Sequence, residues 1–168
     1  MKVILYMAIT VNGMIAKKDD DTSWTSQEEW NKYSSMVRNA GNVIMGHRTY
    51  KIITKQPEFA EFKDVKVVVV SSQYFPTLSD NHIVVHSPQE ALQKLEHFDT
   101  VVVAGGSILN SAFMKANLID EIYLDIEPIA IGNGIPLFRS EEFENKLQLL
   151  EINKITDNEI QLHYRVIN

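Results

Sequence analysis

Five short apolar runs, three of which end directly on glycine or serine, constrain the fold of this 168-residue chain more than any other feature. They are V-I-L-Y-M-A-I at 3–9, V-I-M at 43–45, V-V-V-V at 67–70, I-V-V at 83–85 and V-V-V-A at 101–104. None alternates with polar residues, so each reads as a strand covered on both faces. Between them lie helical patterns at about 26–37, 88–97 and 108–116, the second opened by Ser87 as N-cap with Pro88 in the first helical position. Buried strands alternating with helices build an α/β layer structure on a largely parallel sheet. The last third changes character. Residues 122–126 alternate apolar with polar, and 147–155 with 159–166 read as a hairpin about Asp157-Asn158, an antiparallel edge on the parallel sheet. No repeat, low-complexity tract or Pro/Gly-rich linker interrupts the chain, so 1–168 is read as a single domain.

Composition narrows the function classes. The net charge is −6 with a pI near 5.3, and no local run of Lys or Arg offers the basic surface that nucleic acid requires. There is no cysteine, which excludes disulfides and thiolate metal sites. The N-terminal apolar stretch is too short to span a bilayer and no cleavage site follows it, so the expected location is the cytoplasm, with no membrane partner. His47, His82, His86, His97 and His163 are scattered without ligand spacing, and no metal site is expected.

Three strand-ending turns are candidates for holding a phosphate-bearing ligand. In V-V-V-A-G-G-S-I-L (101–109), Gly105-Gly106 lets an anion approach the backbone, and Ser107 can cap the helix that follows. The G-x-G-x-x-G fingerprint is absent, and taken singly the pair serves equally as a tight turn. In V-I-M-G-H-R-T-Y (43–50), Gly46 is followed by a titratable ring, a cation and a hydroxyl at His47, Arg48 and Thr49, a set suited to phosphate. In V-V-V-V-S-S (67–72), Ser71-Ser72 are by themselves common turn formers. Their shared position carries the argument, because ligands of open α/β sheets bind beyond the carboxyl ends of the strands.

Among the acids, Glu29 shares a helix face with Tyr33 and Met36, and a carboxyl on an apolar stripe is desolvated and suited to holding a proton. Two readings stand: Ser26-x-x-Glu29 is a capping box that would occupy Glu29, while Thr25-x-x-Glu28 is an equally good box that would leave it free. Asp125 is the second acid of interest, either beside a pocket, where two acids would raise one another's pKa, or outward on an alternating strand. Trp24 and Tyr33 could stack on a flat heterocycle or belong to the core.

Taken in order, A-I-T-V-N-G-M-I-A (8–16), Trp24, Glu29 and the three turns resemble dihydrofolate reductase, while D-E-I-Y-L-D-I-E-P (120–128) and G-N-G-I-P-L-F (132–138) look more like the reductase domain of riboflavin biosynthesis. The resemblance to this dihydrofolate-reductase-like family covers nearly the whole chain. It implies a three-layer α/β/α fold with a central, mostly parallel sheet of about eight strands, and NADPH as hydride donor. It places Ala8 and Ile15 near the nicotinamide, and Gly46, His47, Arg48 and Thr49 at the diphosphate and adenosine phosphate. Ser71 and Ser72 would lie by the adenosine 2′-phosphate, Gly105, Gly106, Ser107, Ile108 and Leu109 by the diphosphate, and residues 12–18 would form a mobile loop. Glu29 matches the carboxylate that binds the pterin ring and supports protonation, with Asp125 where a threonine is usual. Val65 stands where an arginine would clamp the folate tail, and 50–59 lacks the D-D-P-x-L-T-x-R-like stretch of the riboflavin-pathway reductases. These absences count against both families' own substrates; the expected substrate is a small heterocyclic C=N or C=O compound, dihydrofolate or another pterin, with an aminopyrimidine of the 5-amino-6-(5-phosphoribosylamino)uracil type as the alternative. A nucleotide-binding protein without turnover is the reading from another class. The resemblance at 120–138 further suggests a homodimer, with the C-terminal strands supplying an interface.

Overall fold

Each apolar run becomes a strand, and the sheet they form positions everything else. The computed structural model describes residues 1–167. The elements are β1 (Lys2–Thr10), β2 (Met14–Lys17), α1 (Gln27–Ala40), β3 (Asn42–Gly46), α2 (His47–Ile53), a 3-10 turn Pro57–Phe62, β4 (Lys66–Val70), β5 (His82–Val85), α3 (Pro88–Gln93), β6 (Thr100–Val103), α4 (Ser107–Lys115), β7 (Glu121–Glu127), β8 (Gly134–Pro136), β9 (Lys146–Lys154) and β10 (Ile160–Ile167). Eight strands form one sheet in the order β5-β4-β3-β6-β1-β7-β10-β9. The first six run parallel; β10 and then β9 add antiparallel at one edge, as the alternation of 122–166 anticipated.

The uninterrupted apolar runs are explained by cover on both sides. Val43, Met45, Val67, Val69 and Val102 pack against Tyr33 and Val37 of α1 and Tyr50 of α2. On the other face Val3, Leu5, Ile44, Val68, Val101 and Val103 pack against Ala91 of α3 and Leu109, Phe113 and Met114 of α4. Each fully buried aliphatic side chain contributes roughly 1.5–3 kcal/mol of hydrophobic stabilisation before its ordering entropy is counted.

The structure revises several boundaries. The pattern read as a helix over 26–37 continues to Ala40, where Gly41 (φ 70°) takes the left-handed conformation and donates to the carbonyls of Val37 and Arg38. The pattern at 88–97 is α-helical only to Gln93, beyond which Leu95 and Phe98 close tight turns onto Leu92 and Leu95. The last helix begins at Ser107 with Gly106 as its N-cap, so Ser107 is not a cap. Part of the 12–18 stretch is also regular: β2 pairs with β8 in a small two-stranded sheet, a pairing no local pattern announced. Among the described residues no helix is long and apolar enough to cross a membrane.

Candidate functional site

The three turns meet because β3, β4 and β6 are contiguous in the sheet. The Gly46 N–H donates to the Gly105 carbonyl at 2.7 Å. A Cβ on Gly106 would stand 3.3 Å from Thr49 Oγ1, so a side chain there would press on Thr49 and occupy the space between the second and first turns. Across the third turn, His47 Nδ1 lies 3.5 Å from Ser71 Oγ, and the His47 ring stacks on Phe75 with centroids 4.0 Å apart. Burial, then the nearby Lys51, holds His47 below its ordinary pKa, so the ring is neutral at physiological pH. Four buried polar atoms have no partner among the described residues, Asn110 Oδ1, Asn145 Oδ1 and, at these turns, His47 Nε2 and Ser107 Oγ. Orphaned buried groups are uncommon, and the last two sit at the turns where a polar ligand would satisfy them. Ser72 and Ile108 are exposed beside them, Leu109 points into the core, and Ala8 and Ile15 are half-buried on β1 and β2. Arg48 is already engaged: Asp20, in the loop after β2, receives its Nη2 at 2.6 Å and its Nε at 2.8 Å.

The acids gather around Ser26, at the start of α1. Ser26 is the N-cap of α1, its Oγ accepting from the Glu29 N–H at 3.0 Å. The reciprocal half of the box is missing, however, because the Ser26 N–H donates to Glu127 Oε1 at 2.7 Å rather than to Glu29. The Thr25 box does not form, because Ser26 is the N-cap and Thr25 Oγ1 donates to the Thr22 carbonyl; the Glu29 carboxyl nevertheless stays free. It is 7% exposed and hydrogen-bonds none of the described residues. Desolvation by burial, followed by the charges of Asp125, Glu127 and Glu159, pushes its pKa up to about 8. Asp125, 1% exposed, is differently placed. Its Oδ2 accepts from the Tyr6 hydroxyl at 2.6 Å and its Oδ1 from Gln161 Nε2 at 2.7 Å. Burial raises its pKa while those two donors oppose the rise. Glu127 and Glu159 meet across Ser26, whose Oγ donates to Glu159 at 3.1 Å; burial and the neighbouring Glu159 raise Glu127.

Tyr33 belongs to the core, ringed by Tyr6, Trp30 and Phe62. Trp24 is half-buried and its Nε1 donates to the Asp21 carbonyl. An open groove of about 560 Å3 runs beside Tyr6 and Gln161 along α1, past Lys32 and Met36 to Ala40 and Thr100; neither Glu29 nor the three turns line it. Tyr6, Glu127, Glu159, Gln161 and Asp20 were not singled out by sequence reasoning. For Glu127, Glu159 and Gln161 the signal was available, since the period of two along 121–127 and 159–161 puts Asp125 and Glu127, and Glu159 and Gln161, on one face. Replacing Tyr6 by Phe removes a donor from the buried Asp125 carboxylate, and urea denaturation is expected to show a loss of about 1–3 kcal/mol.

This arrangement of eight strands, flanking helices and turns defines a dihydrofolate-reductase-like fold. It superposes on a protein from Shewanella sp. PV-4 described under riboflavin biosynthesis (TM-score 0.82, 19% identity, all of both chains) and on Enterococcus faecalis dihydrofolate reductase complexed with NADP(H) (TM-score 0.76, 15% identity, 99% of this chain and 97% of that one). Residues 1–161 match the RibD C-terminal domain, and the chain belongs to that family. Among curated relatives, Bacillus subtilis (strain 168) YwjB is 32% identical over 97% of both chains.

Proposed function

We propose that this chain is an NADPH-dependent reductase that delivers a hydride to a small heterocyclic C=N or C=O substrate. The observation that carries the reading is Glu29: a nearly enclosed carboxyl, free of hydrogen bonds to the described residues, that keeps its proton at neutral pH. A group of that kind suits a proton donor beside a reaction that adds hydride. The three turns supply the other half. His47 Nε2 and Ser107 Oγ are unsatisfied, and Gly106 leaves the cradle open, which fits a diphosphate-bearing cofactor. NADPH, when bound, would supply the hydride; the fold's part is proximity and orientation. Arg48 and Ser71 with Ser72 would meet the adenosine phosphate, Gly46, Thr49, Gly105 and Gly106 the diphosphate, and Ala8 and Ile15 the nicotinamide. Asp125, fixed by Tyr6 and Gln161, acts on Glu29 through its charge.

Membership in the RibD C-terminal domain family favours an aminopyrimidine over dihydrofolate, against which stands the missing riboflavin-type stretch at 50–59. Val65 favours it as well, being buried in the core where a folate-tail clamp would require a cation. Steady-state oxidation of NADPH, followed by its near-ultraviolet absorbance, is expected with an aminopyrimidine of that type and to be slow or absent with dihydrofolate. Binding of NADPH without oxidation by any such heterocycle would overturn the reductase reading in favour of a nucleotide-binding protein without turnover.

Asp20 competes with a phosphate for Arg48. Asp20→Asn is therefore expected to lower the NADPH dissociation constant by about two- to fivefold at low ionic strength, as befits a largely exposed ion pair. The gain should shrink as salt is added and be smaller for NADH, which lacks the 2′-phosphate.

A further inference from the structure

In a chain of net charge −6, cations readily find acids, and Lys2, Lys17, Arg38, Arg48, Lys115 and Lys154 each pair with one. Lys66 and Lys94 do not. Neither pairs with an acid among the described residues, and both line one groove of about 540 Å3 that no acid lines. The groove follows β5, the outermost strand on the parallel side of the sheet. Lys66 opens β4, His82 opens β5 and Lys94 caps the C-terminus of α3, so this cluster stands at the amino ends of the strands. The three turns lie at the carboxyl ends of the same parallel strands, at the opposite end of the sheet.

His82 defines what the groove offers. It lines the groove while only 7% exposed. The Tyr50 hydroxyl lies 2.8 Å from its Nδ1, and the same hydroxyl oxygen accepts from the Leu78 N–H at 3.0 Å. The hydroxyl proton has no other acceptor among the described residues, so it is donated to Nδ1, and the neutral ring carries its own proton on Nε2. Burial, then the nearby Lys66, hold His82 below its ordinary pKa, which keeps the ring neutral at physiological pH. The Nε2–H has no hydrogen-bond partner among the described residues, an uncommon state for a buried donor. Two ammonium groups and this N–H are donors without acceptor capacity, and an anion is the ligand that satisfies all three. Tyr74, 81% exposed, with half-buried Ile83 and Val84, gives the same groove an aromatic and apolar wall. Lysine at a sheet edge also discourages strand pairing, but that purpose needs neither the orphaned His82 donor nor the exposed ring.

We propose that this groove is an anion site separate from the three turns, and that it takes a small phosphate monoester bearing a flat ring. The phosphate sits among Lys66, Lys94 and His82 Nε2, and the ring lies against Tyr74. The groove's volume falls within the range of small-ligand sites, roughly 300–1,000 Å3. The site does not depend on the reductase reading, since none of its residues belongs to the turns or to the acids around Ser26.

Phenyl phosphate and inorganic phosphate are the probes, titrated at low ionic strength while nitrogen-15 spectra follow the imidazoles. Phenyl phosphate is expected to saturate one site per chain, to bind about five- to tenfold tighter than inorganic phosphate, and to shift the His82 Nε2 resonance. Lys66→Gln/Lys94→Gln is expected to weaken both probes by about tenfold or more and to leave the NADPH dissociation constant within about twofold. Tyr74→Ala should abolish the preference for phenyl phosphate and leave the affinity for inorganic phosphate unchanged. Absence of saturable binding, an unmoved His82 resonance at saturation, or a double-lysine variant that binds as tightly as wild type overturns the site. Equal affinity for the two probes, or a Tyr74→Ala variant that keeps the preference, overturns the assignment of a ring-bearing ligand.

Discussion

Glu29→Gln is expected to lower the rate of NADPH-dependent reduction by about 100- to 1,000-fold, the usual contribution of a positioned general acid, while leaving NADPH affinity within twofold. The side chain keeps its volume and polarity but can no longer give up a proton. In the wild type, activity should be highest when Glu29 is protonated and fall as pH rises through about 8; in the variant that alkaline limb should vanish. The same substitution has an opposite consequence for stability. Glu29 is raised in the folded chain from an ordinary value of 4.5 to about 8, so between those values the folded state binds the extra proton. Stability therefore is complete below pH 4.5, declines as pH rises toward 8, and is flat beyond. With Asp125, Glu127 and Glu159 nearby, ionising Glu29 opposes folding by on the order of a few kcal/mol, so Glu29→Gln should melt higher than wild type at pH 9 and much closer to it at pH 5. Thermal denaturation at the two pH values measures this. Equal wild-type and variant profiles would mean that Glu29 is not the group that holds the proton. A residue that costs stability at its working pH is characteristic of a site kept for chemistry.

The second large effect is expected at Gly106. Its backbone is extended (φ −81°), so a side chain is tolerated conformationally, but a Cβ meets Thr49 Oγ1 at 3.3 Å and the branches of valine would fill the cradle between the two turns. Gly106→Val should raise the NADPH dissociation constant about 100-fold, close to 3 kcal/mol, with a change in melting temperature of only a few degrees. Gly105→Ala separates the two contributions. Gly105 has φ 83°, and its Cβ would lie 3.1 Å from Met7 Sδ, so alanine there strains the backbone itself and should reduce stability by about 1–3 kcal/mol. A loss of affinity in Gly106→Val without loss of structure is the signature of an occupied cradle. Unchanged affinity would move the cofactor elsewhere.

Much of this architecture was legible in the chain because its signals are local and strong. Val67–Val70 and Val101–Val103 have no polar alternation, as befits strands covered on both faces, and they end at Ser71 and Gly105 in turns that the sheet order brings together. The antiparallel edge was legible for the complementary reason, since 122–126 and 159–166 alternate. What the sequence did not disclose are relationships between distant segments. β2 with β8 joins residues 14–17 to 134–136, two weak stretches that acquire regularity only from one another. Arg48 is held by Asp20, and Ser26 divides its cap between Glu29, Glu127 and Glu159; these contacts span 28, 101 and 133 residues, beyond any spacing rule. Glu29 shows the boundary. Its place on an apolar helix face was readable, but whether its carboxyl was spent on capping depended on Glu127, which takes the Ser26 N–H from across the fold. The capping signal at Ser107 failed by one residue: Gly106 is the N-cap, and the serine hydroxyl in the first helical position has no partner among the described residues.

Calorimetric titration of the wild-type chain with NADPH tests the central claim most directly. The expected result is saturable binding at one site per chain, weaker for NADH, and weakened about 100-fold in Gly106→Val. No saturable binding of either nucleotide would contradict it.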